Sequence, residues 1–217
     1  MSFVGVLMLD TRFPRPVGDI GNPETFARLG IPVKYSTVEG ASPQRVVLDA
    51  DVALLRHFIA AARSLVEDGA SLITTSCGFL TRFQDELQAS VDVPVFTSSL
   101  LWLNELGADA AVLTIDATAL SLQHLTAVGA ATNTPIWGVA SGCEFQQAIL
   151  RNRSKLNVRQ AQLDVVSAAL KLVEKFPKTR TIVLECANMP PYAQAVAQAT
   201  GLRVEHIMSL IENKWKL

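Results

Sequence analysis

The sequence predicts an α/β fold built as two parallel-sheet, three-layer domains related by a pseudo-two-fold axis. Three observations point there. Short continuous apolar runs, which read as buried parallel strands, alternate with amphipathic helical stretches. The order of these elements occurs twice. Landmarks in the two halves also keep a near-constant separation: 106 residues from Asp10 to Asp116, 109 from Cys77 to Cys186 and 109 from Val95 to Val204. A repeat that long indicates an internal duplication, with each half a sheet-forming unit of its own.

The first run, FVGVLML, stops at Asp10-Thr11, as a buried parallel strand does at its carboxyl end. A Pro- and Gly-rich loop follows from Asp10 to Ala41, with one short strand candidate at Pro32 to Val38. Loops of this length inside compact domains usually carry function. DADVALLRHFIAAARSLVEDG then reads as a helix presenting Val52, Leu55, Ile59, Ala62 and Val66 on one face, with Asp49 or Asp51 as N-cap and Gly69 as C-cap. It feeds the strand SLITT and the corner at Cys77. LTRFQDELQAS reads as helix and VPVFTSSL as strand.

The second half follows the same plan. DAAVLTIDA is an apolar strand ending in Asp116, and NVRQAQLDVVSAALKLVEKFP is an amphipathic helix carrying Leu163, Val166, Leu170 and Val173. The strand TIVLE leads to Cys186, PYAQAVAQATG reads as helix, and LRVEHIMSL supplies a last strand.

Composition narrows the function classes. The chain has 217 residues, 49% hydrophobic and 18% charged, with 19 Lys+Arg against 20 Asp+Glu. Its only basic knot, RNRSK at Arg151 to Lys155, is too small to track a phosphate backbone, so no nucleic-acid partner is expected. No stretch approaches the roughly 18 apolar residues of a membrane span. Three dispersed cysteines, Cys77, Cys143 and Cys186, suggest neither a disulfide framework nor a zinc site, and fit a reducing, cytoplasmic setting. His57, His124 and His206 lack metal-site spacing and read as structural, as does Cys143, which has no counterpart in the first half.

In parallel α/β sheets, ligands bind beyond the carboxyl ends of the strands. Cys77 and Cys186 both stand there, and two halves facing each other would bring one thiol to each side of a cleft. Backbone N–H groups around Gly78 and after Cys186 are placed to lower the thiol pKa values from the usual value of about 8.5. A thiolate base and a thiol acid on opposite faces of one carbon remove a proton and return another, which inverts a stereocentre. The carbanion needs preorganised donors. Thr75, Ser76 and Asn188 are candidates to hold a substrate carboxylate. Asp10 with Thr11, and Asp116 with Thr118, sit at the matching strand ends, where either aspartate serves a substrate or caps a loop. Arg12 and Arg15 carry the fork that grips carboxylates, although exposure is their commoner fate. No phosphate loop or strand-end lysine implies pyridoxal phosphate, and no metal spacing is present, so no cofactor is expected.

The strand ending in Asp10-Thr11, the ITTSCGF corner, the IVLECANMPP corner and the duplicated layout resemble the aspartate/glutamate/hydantoin racemase superfamily over nearly the whole chain. The resemblance implies two Rossmann-like domains and a cofactor-independent enzyme with paired cysteines, Cys77 and Cys186, across an interdomain cleft. It also implies that the last segment returns to the first unit, giving 1–98 plus 205–217 and 99–204 as the domains. The second corner, Cys186-Ala187-Asn188, is closer to hydantoin racemases than to glutamate racemases. Aligning Thr75-Ser76 with the Thr-Ser pair of decarboxylases and maleate isomerases instead puts Thr74 at the first cysteine position. The expected activity is racemisation or epimerisation of a small amino acid or related carboxylate. The alternatives are a decarboxylase or cis-trans isomerase relying on Cys186, or a non-catalytic carboxylate-binding protein. A homodimer would be ordinary.

Overall fold

The structure, a computed structural model, describes residues 2–216; Met1 and Leu217, the ends of the expected first domain, lie outside the described residues. Among the described residues eight strands form two four-stranded parallel sheets. The first contains β1 (Phe3–Leu9), β2 (Val33–Val38), β3 (Ala70–Thr75) and β4 (Val95–Phe96) in the order β2-β1-β3-β4. The second contains β5 (Ala110–Thr114), β6 (Ile136–Gly138), β7 (Thr181–Leu184) and β8 (Arg203–His206) in the order β6-β5-β7-β8. The two orders are the same permutation, which is the duplication realised in three dimensions. The central strands are buried on both faces, as their unbroken apolar runs require.

The helices are α1 (Pro23–Arg28), α2 (Leu55–Glu67), α3 (Gln84–Ala89), α4 (Leu103–Leu106), α5 (Leu122–Thr126), α6 (Glu144–Leu150), α7 (Val158–Lys175), α8 (Ala193–Thr200) and α9 (Ile207–Trp215). Asp51 caps the 3₁₀ turn that opens into α2 by accepting from Ala53 N, and Asn157 caps α7 by accepting from Gln160 N. Asp49 instead closes a π turn over Gln44–Leu48.

In both long helices the buried stripe is rotated from the expected one, with Ala62 common to the expected and observed stripes and Leu55, Ile59, Val66, Val166 and Val173 half-buried at the edge. In α2 the buried residues are Phe58, Ala62 and Leu65, with Leu54 just before it, while Val52 is exposed. In α7 they are Ala161, Val165, Ala168, Ala169 and Leu172, while Leu163 and Leu170 are exposed. On α7 the reason is steric: a helix seated on a sheet can approach closely along a stripe of alanines, and the bulkier Leu163 and Leu170 then fall outside it. The expected strand VPVFTSSL shortens to Val95–Phe96, because Ser98 accepts from Leu100 N and starts a 3₁₀ turn. The last segment is strand only to His206, whose ring accepts from Ser209 N and opens α9.

The two sheets are clamped together at several points. Ser99 Oγ donates to Leu184 O at 2.7 Å, and Trp102 Nε1 to Ser209 Oγ at 3.2 Å. Strand β8 pairs with β7, whereas Trp215, at the end of α9, lines a hollow beside Ser2, Leu72 and Phe96 of the first sheet. Among the described residues no helix is long and apolar enough to cross a membrane.

Candidate active site

The two cysteine corners meet. Strand β3 ends at Thr75, and Ser76 locks the corner to β1: Ser76 N donates to Leu7 O, and Leu9 N donates to Ser76 Oγ, both at 2.9 Å. Cys77 is extended (φ −147°, ψ 117°) and precedes a 3₁₀ turn over Gly78–Phe83. On the other side β7 ends at Leu184, Glu185 N continues the ladder to Leu113 O at 2.9 Å, and Met189 N closes a turn onto Cys186 O. Cys77 and Cys186 line one enclosed cavity together with Ser76, Gly78 and Asn188. Its remaining wall is apolar, including Phe13, Phe79, Ile115 and Ile149, and Arg15 is the one cationic side chain in it.

The cavity is nearly closed, with about 20 Å³ of free space, roughly the room for one water molecule. A substrate therefore enters only after the two halves part. Arg12 ties them at the surface: its N–H donates to Asn152 Oδ1 at 2.7 Å and its Nε to Asn152 O at 2.9 Å.

The long loop after β1 supplies the polar frame. Arg15 donates to Asp19 Oδ1 at 2.8 Å and to Thr11 Oγ1 at 2.9 Å, and lies 4.5 Å from the centre of the Phe13 ring. Asp19, fully buried, accepts from Asn188 Nδ2 at 2.7 Å, and the Asn188 oxygen lies 3.7 Å from Cys186 Sγ. The chain Arg15–Asp19–Asn188–Cys186 thus joins the loop to the second thiol. Gly18 seats the loop there: its φ of +106° and a would-be Cβ only 2.7 Å from Pro191 Cα exclude any side chain.

The remaining candidates are placed otherwise. Thr75 Oγ1 lies 2.7 Å from Thr97 O and 2.9 Å from Cys77 O, bracing the corner from behind. Thr74 is buried in β3 with its hydroxyl donating to Phe96 O at 2.8 Å, away from the cavity wall that Cys77 lines. Asp10 is exposed and accepts from Gly40 N at 3.3 Å. Asp116 accepts from Thr118 N, Thr118 Oγ1 and Ala119 N, an Asx turn that caps its own loop. Neither aspartate, nor Thr11 or Thr118, lines the cavity.

The thiols are not activated in the resting cleft, contrary to the expectation from their corners. Backbone N–H groups of Phe79 and Leu80 do favour the Cys77 thiolate, and that of Asn188 favours the Cys186 thiolate. Burial outweighs them, with the Glu185 carboxyl adding to it. Cys77 is pushed up to about 12 and Cys186 is raised well above its ordinary value. Neither Glu185 nor Asp19 is among the candidates that the sequence singles out. A charged residue extending an apolar strand, TIVLE, was the available signal for Glu185. Asp19 carries none, since its role depends on where a loop lands.

No known family profile matches the chain. A dimethylsulfoniopropionate lyase of Durusdinium sp. clade D is 28% identical over 93% of this chain and 70% of its own length. Dimethylsulfoniopropionate lyase 7 of Emiliania huxleyi is 29% identical over 93% of this chain and 62% of its own length. The chain therefore spans about two thirds of these relatives. Among solved structures, a cysteine-substituted arylmalonate decarboxylase with associated sulfate superposes with a TM-score of 0.64 at 17% identity, covering 99% of this chain and 91% of that one. An aspartate racemase homologue from Pyrococcus horikoshii gives 0.58 at 13% identity, covering 99% and 97%. The duplicated parallel sheets and facing strand-end corners define a two-domain α/β protein with a cleft between its halves. That fold is shared with the arylmalonate decarboxylase and the aspartate racemase homologue.

Proposed function

We propose that this chain is a cofactor-independent enzyme that takes the α-proton from a small carboxylate, with Cys77 and Cys186 as its acid/base pair. The observation that carries the reading is the convergence of two strand-end thiols, one from each sheet, on a single nearly closed cavity. The carbanion's charge spreads into the substrate carboxylate, which Arg15 and the Asn188 amide are positioned to meet.

A carbanion of this kind has two exits. If a leaving group stands on the β-carbon, the Cβ–X bond breaks with its electron pair and an unsaturated acid forms. If none does, the opposite thiol returns a proton to the other face and the stereocentre inverts. Elimination is the favoured exit. The relatives are lyases whose named substrate, dimethylsulfoniopropionate, carries a β-sulfonium group, and the Phe13 and Phe79 rings suit a soft cation. No uncommitted carboxylate lines the cavity to receive the ammonium group of an amino acid: Asp19 is occupied by Arg15 and Asn188, and Asp10 and Asp116 lie outside. Racemisation or epimerisation is the second reading, favoured by the two thiols themselves. Three free cysteines support a reducing, cytoplasmic setting.

The test incubates the protein in deuterated water with dimethylsulfoniopropionate and, separately, with single enantiomers of small amino acids. Dimethyl sulfide, acrylate and α-deuteration are followed. Sulfide and acrylate are expected from the sulfonium acid, falling at least about 100-fold in Cys186→Ala and in Cys77→Ala. Inversion with deuterium uptake in an amino acid would select the racemase reading, and absence of both reactions would reject the enzyme assignment.

A further inference from the structure

Glu185 stands directly before Cys186 and is completely buried. Its Oε2 accepts one hydrogen bond, from Thr114 Oγ1 at 2.7 Å, and its Oε1 is without a partner. Oε1 crosses toward the other half, so that a Cβ on Gly78 would come 2.2 Å from it. The groups facing this carboxyl are Thr114 of β5, Cys77 at the β3 corner and its own neighbour Cys186; no cation is among them. Arg15 and Asp19 from the long loop face the thiols. The Glu185 carboxyl thus adjoins both thiols in a closed interior, and only the Thr114 hydroxyl supports a charge on it. A second negative charge there is strongly opposed.

We propose that Glu185 is held as the neutral acid in the working enzyme and limits the cleft to one negative charge, so that its ionisation caps formation of the thiolate base. It acts through the thiols and is a positioning residue. No hydrogen bond joins Oε1 to either sulfur, which separates this role from that of a direct proton acceptor. Burial pushes Glu185 up to about 7, partly offset by the Thr114 hydrogen bond, so the cap falls near neutral pH. Below that pH the thiolate fraction rises tenfold per unit, as for any weak acid. Above it, each proton lost comes from Glu185, and the thiolate fraction stays level because the three groups titrate as one coupled set.

The inference rests on the thiol-base reading, and its test has an arm that needs no turnover. Glu185→Gln is isosteric and cannot ionise. Its thiols should alkylate with iodoacetamide on the order of 100-fold faster than wild type at pH about 9, two units above the break, because the repelling charge is gone. In the reaction arm, wild-type kcat/KM should level off above pH about 7, while Glu185→Gln should go on rising by about tenfold per unit. Thr114→Val, which removes the sole donor, should move the break to higher pH, and it serves if Glu185→Gln does not fold. Parallel profiles in both arms would overturn the proposal. So would a large loss of Glu185→Gln activity at alkaline pH, which would make Glu185 the thiol's proton acceptor. Faster alkylation without turnover in either protein would leave Glu185 as assigned and reject the enzymatic reading alone.

Discussion

Gly78→Ala is the most economical probe of how the two halves meet. The added methyl would stand 2.2 Å from Glu185 Oε1 and 2.4 Å from Glu185 O. The carboxyl could swing only within a closed pocket. The carbonyl is less free, because Glu185 N is tied to Leu113 O at 2.9 Å and Ser99 Oγ to Leu184 O at 2.7 Å. The corners must therefore separate by most of an ångström. Overpacking of this kind costs about 1–3 kcal/mol. For a chain of this size each kcal/mol corresponds to about 2–4 °C in Tm. A displacement of about 1 Å between reacting groups can cost on the order of 100-fold in rate. Circular dichroism melting and the α-proton exchange assay would be read side by side. A variant melting within about 1 °C of wild type with full exchange would refute the close approach of Gly78 to Glu185, and with it the geometry on which the charge cap depends.

Two further outcomes follow from the packing. Leu172 and Leu170 are two residues apart on α7, yet the first is buried and the second exposed. Leu172→Ala should cost about 2–5 kcal/mol and Leu170→Ala less than about 0.5 kcal/mol by urea unfolding; similar losses would contradict the observed helix face. Arg12→Ala removes the Nε bond to Asn152 O and leaves the backbone N–H bond to Asn152 Oδ1 in place. At about 1 kcal/mol for such a tie, cleft opening should be about fivefold more frequent and iodoacetamide should reach Cys77 and Cys186 correspondingly faster. Unchanged labelling would mean that Arg12 does not hold the cleft shut.

The sequence carried the strands well and the helix orientation poorly, for physical reasons. A parallel strand buried on both faces announces itself locally, as FVGVLML, SLITT and TIVLE do, and the common offset between the cysteines gave the two sheets their correspondence. The short β6, Ile136–Gly138, is too brief to rise above the loop around it. On α7 the large aliphatics point to the wrong stripe, because contact with the sheet selects alanines such as Ala161, Ala168 and Ala169. At the site, the convergence of Cys77 and Cys186 was legible from their matched positions. The sign of their pKa shift was not, since backbone donors are local features and desolvation belongs to the assembled cleft. Asp19 was hidden for the same reason: only the landing of the loop on Pro191 brings it to Asn188.

The raised thiols suit the proposed chemistry better than activated ones would. An α-proton beside a carboxylate is a very weak acid, and a base is effective in proportion to its own basicity. A low-pKa thiolate would be abundant and feeble. In the closed cavity a thiolate is rare, but each one formed is a stronger base, because the desolvation that makes it scarce also makes it avid for a proton. A low-pKa cysteine suits nucleophilic attack, so the burial of both sulfurs argues for proton transfer over covalent catalysis. Closure then has two effects: it excludes the water that would compete for the base, and it presses Glu185 toward its neutral form, which widens the pH range over which no carboxylate charge opposes a thiolate.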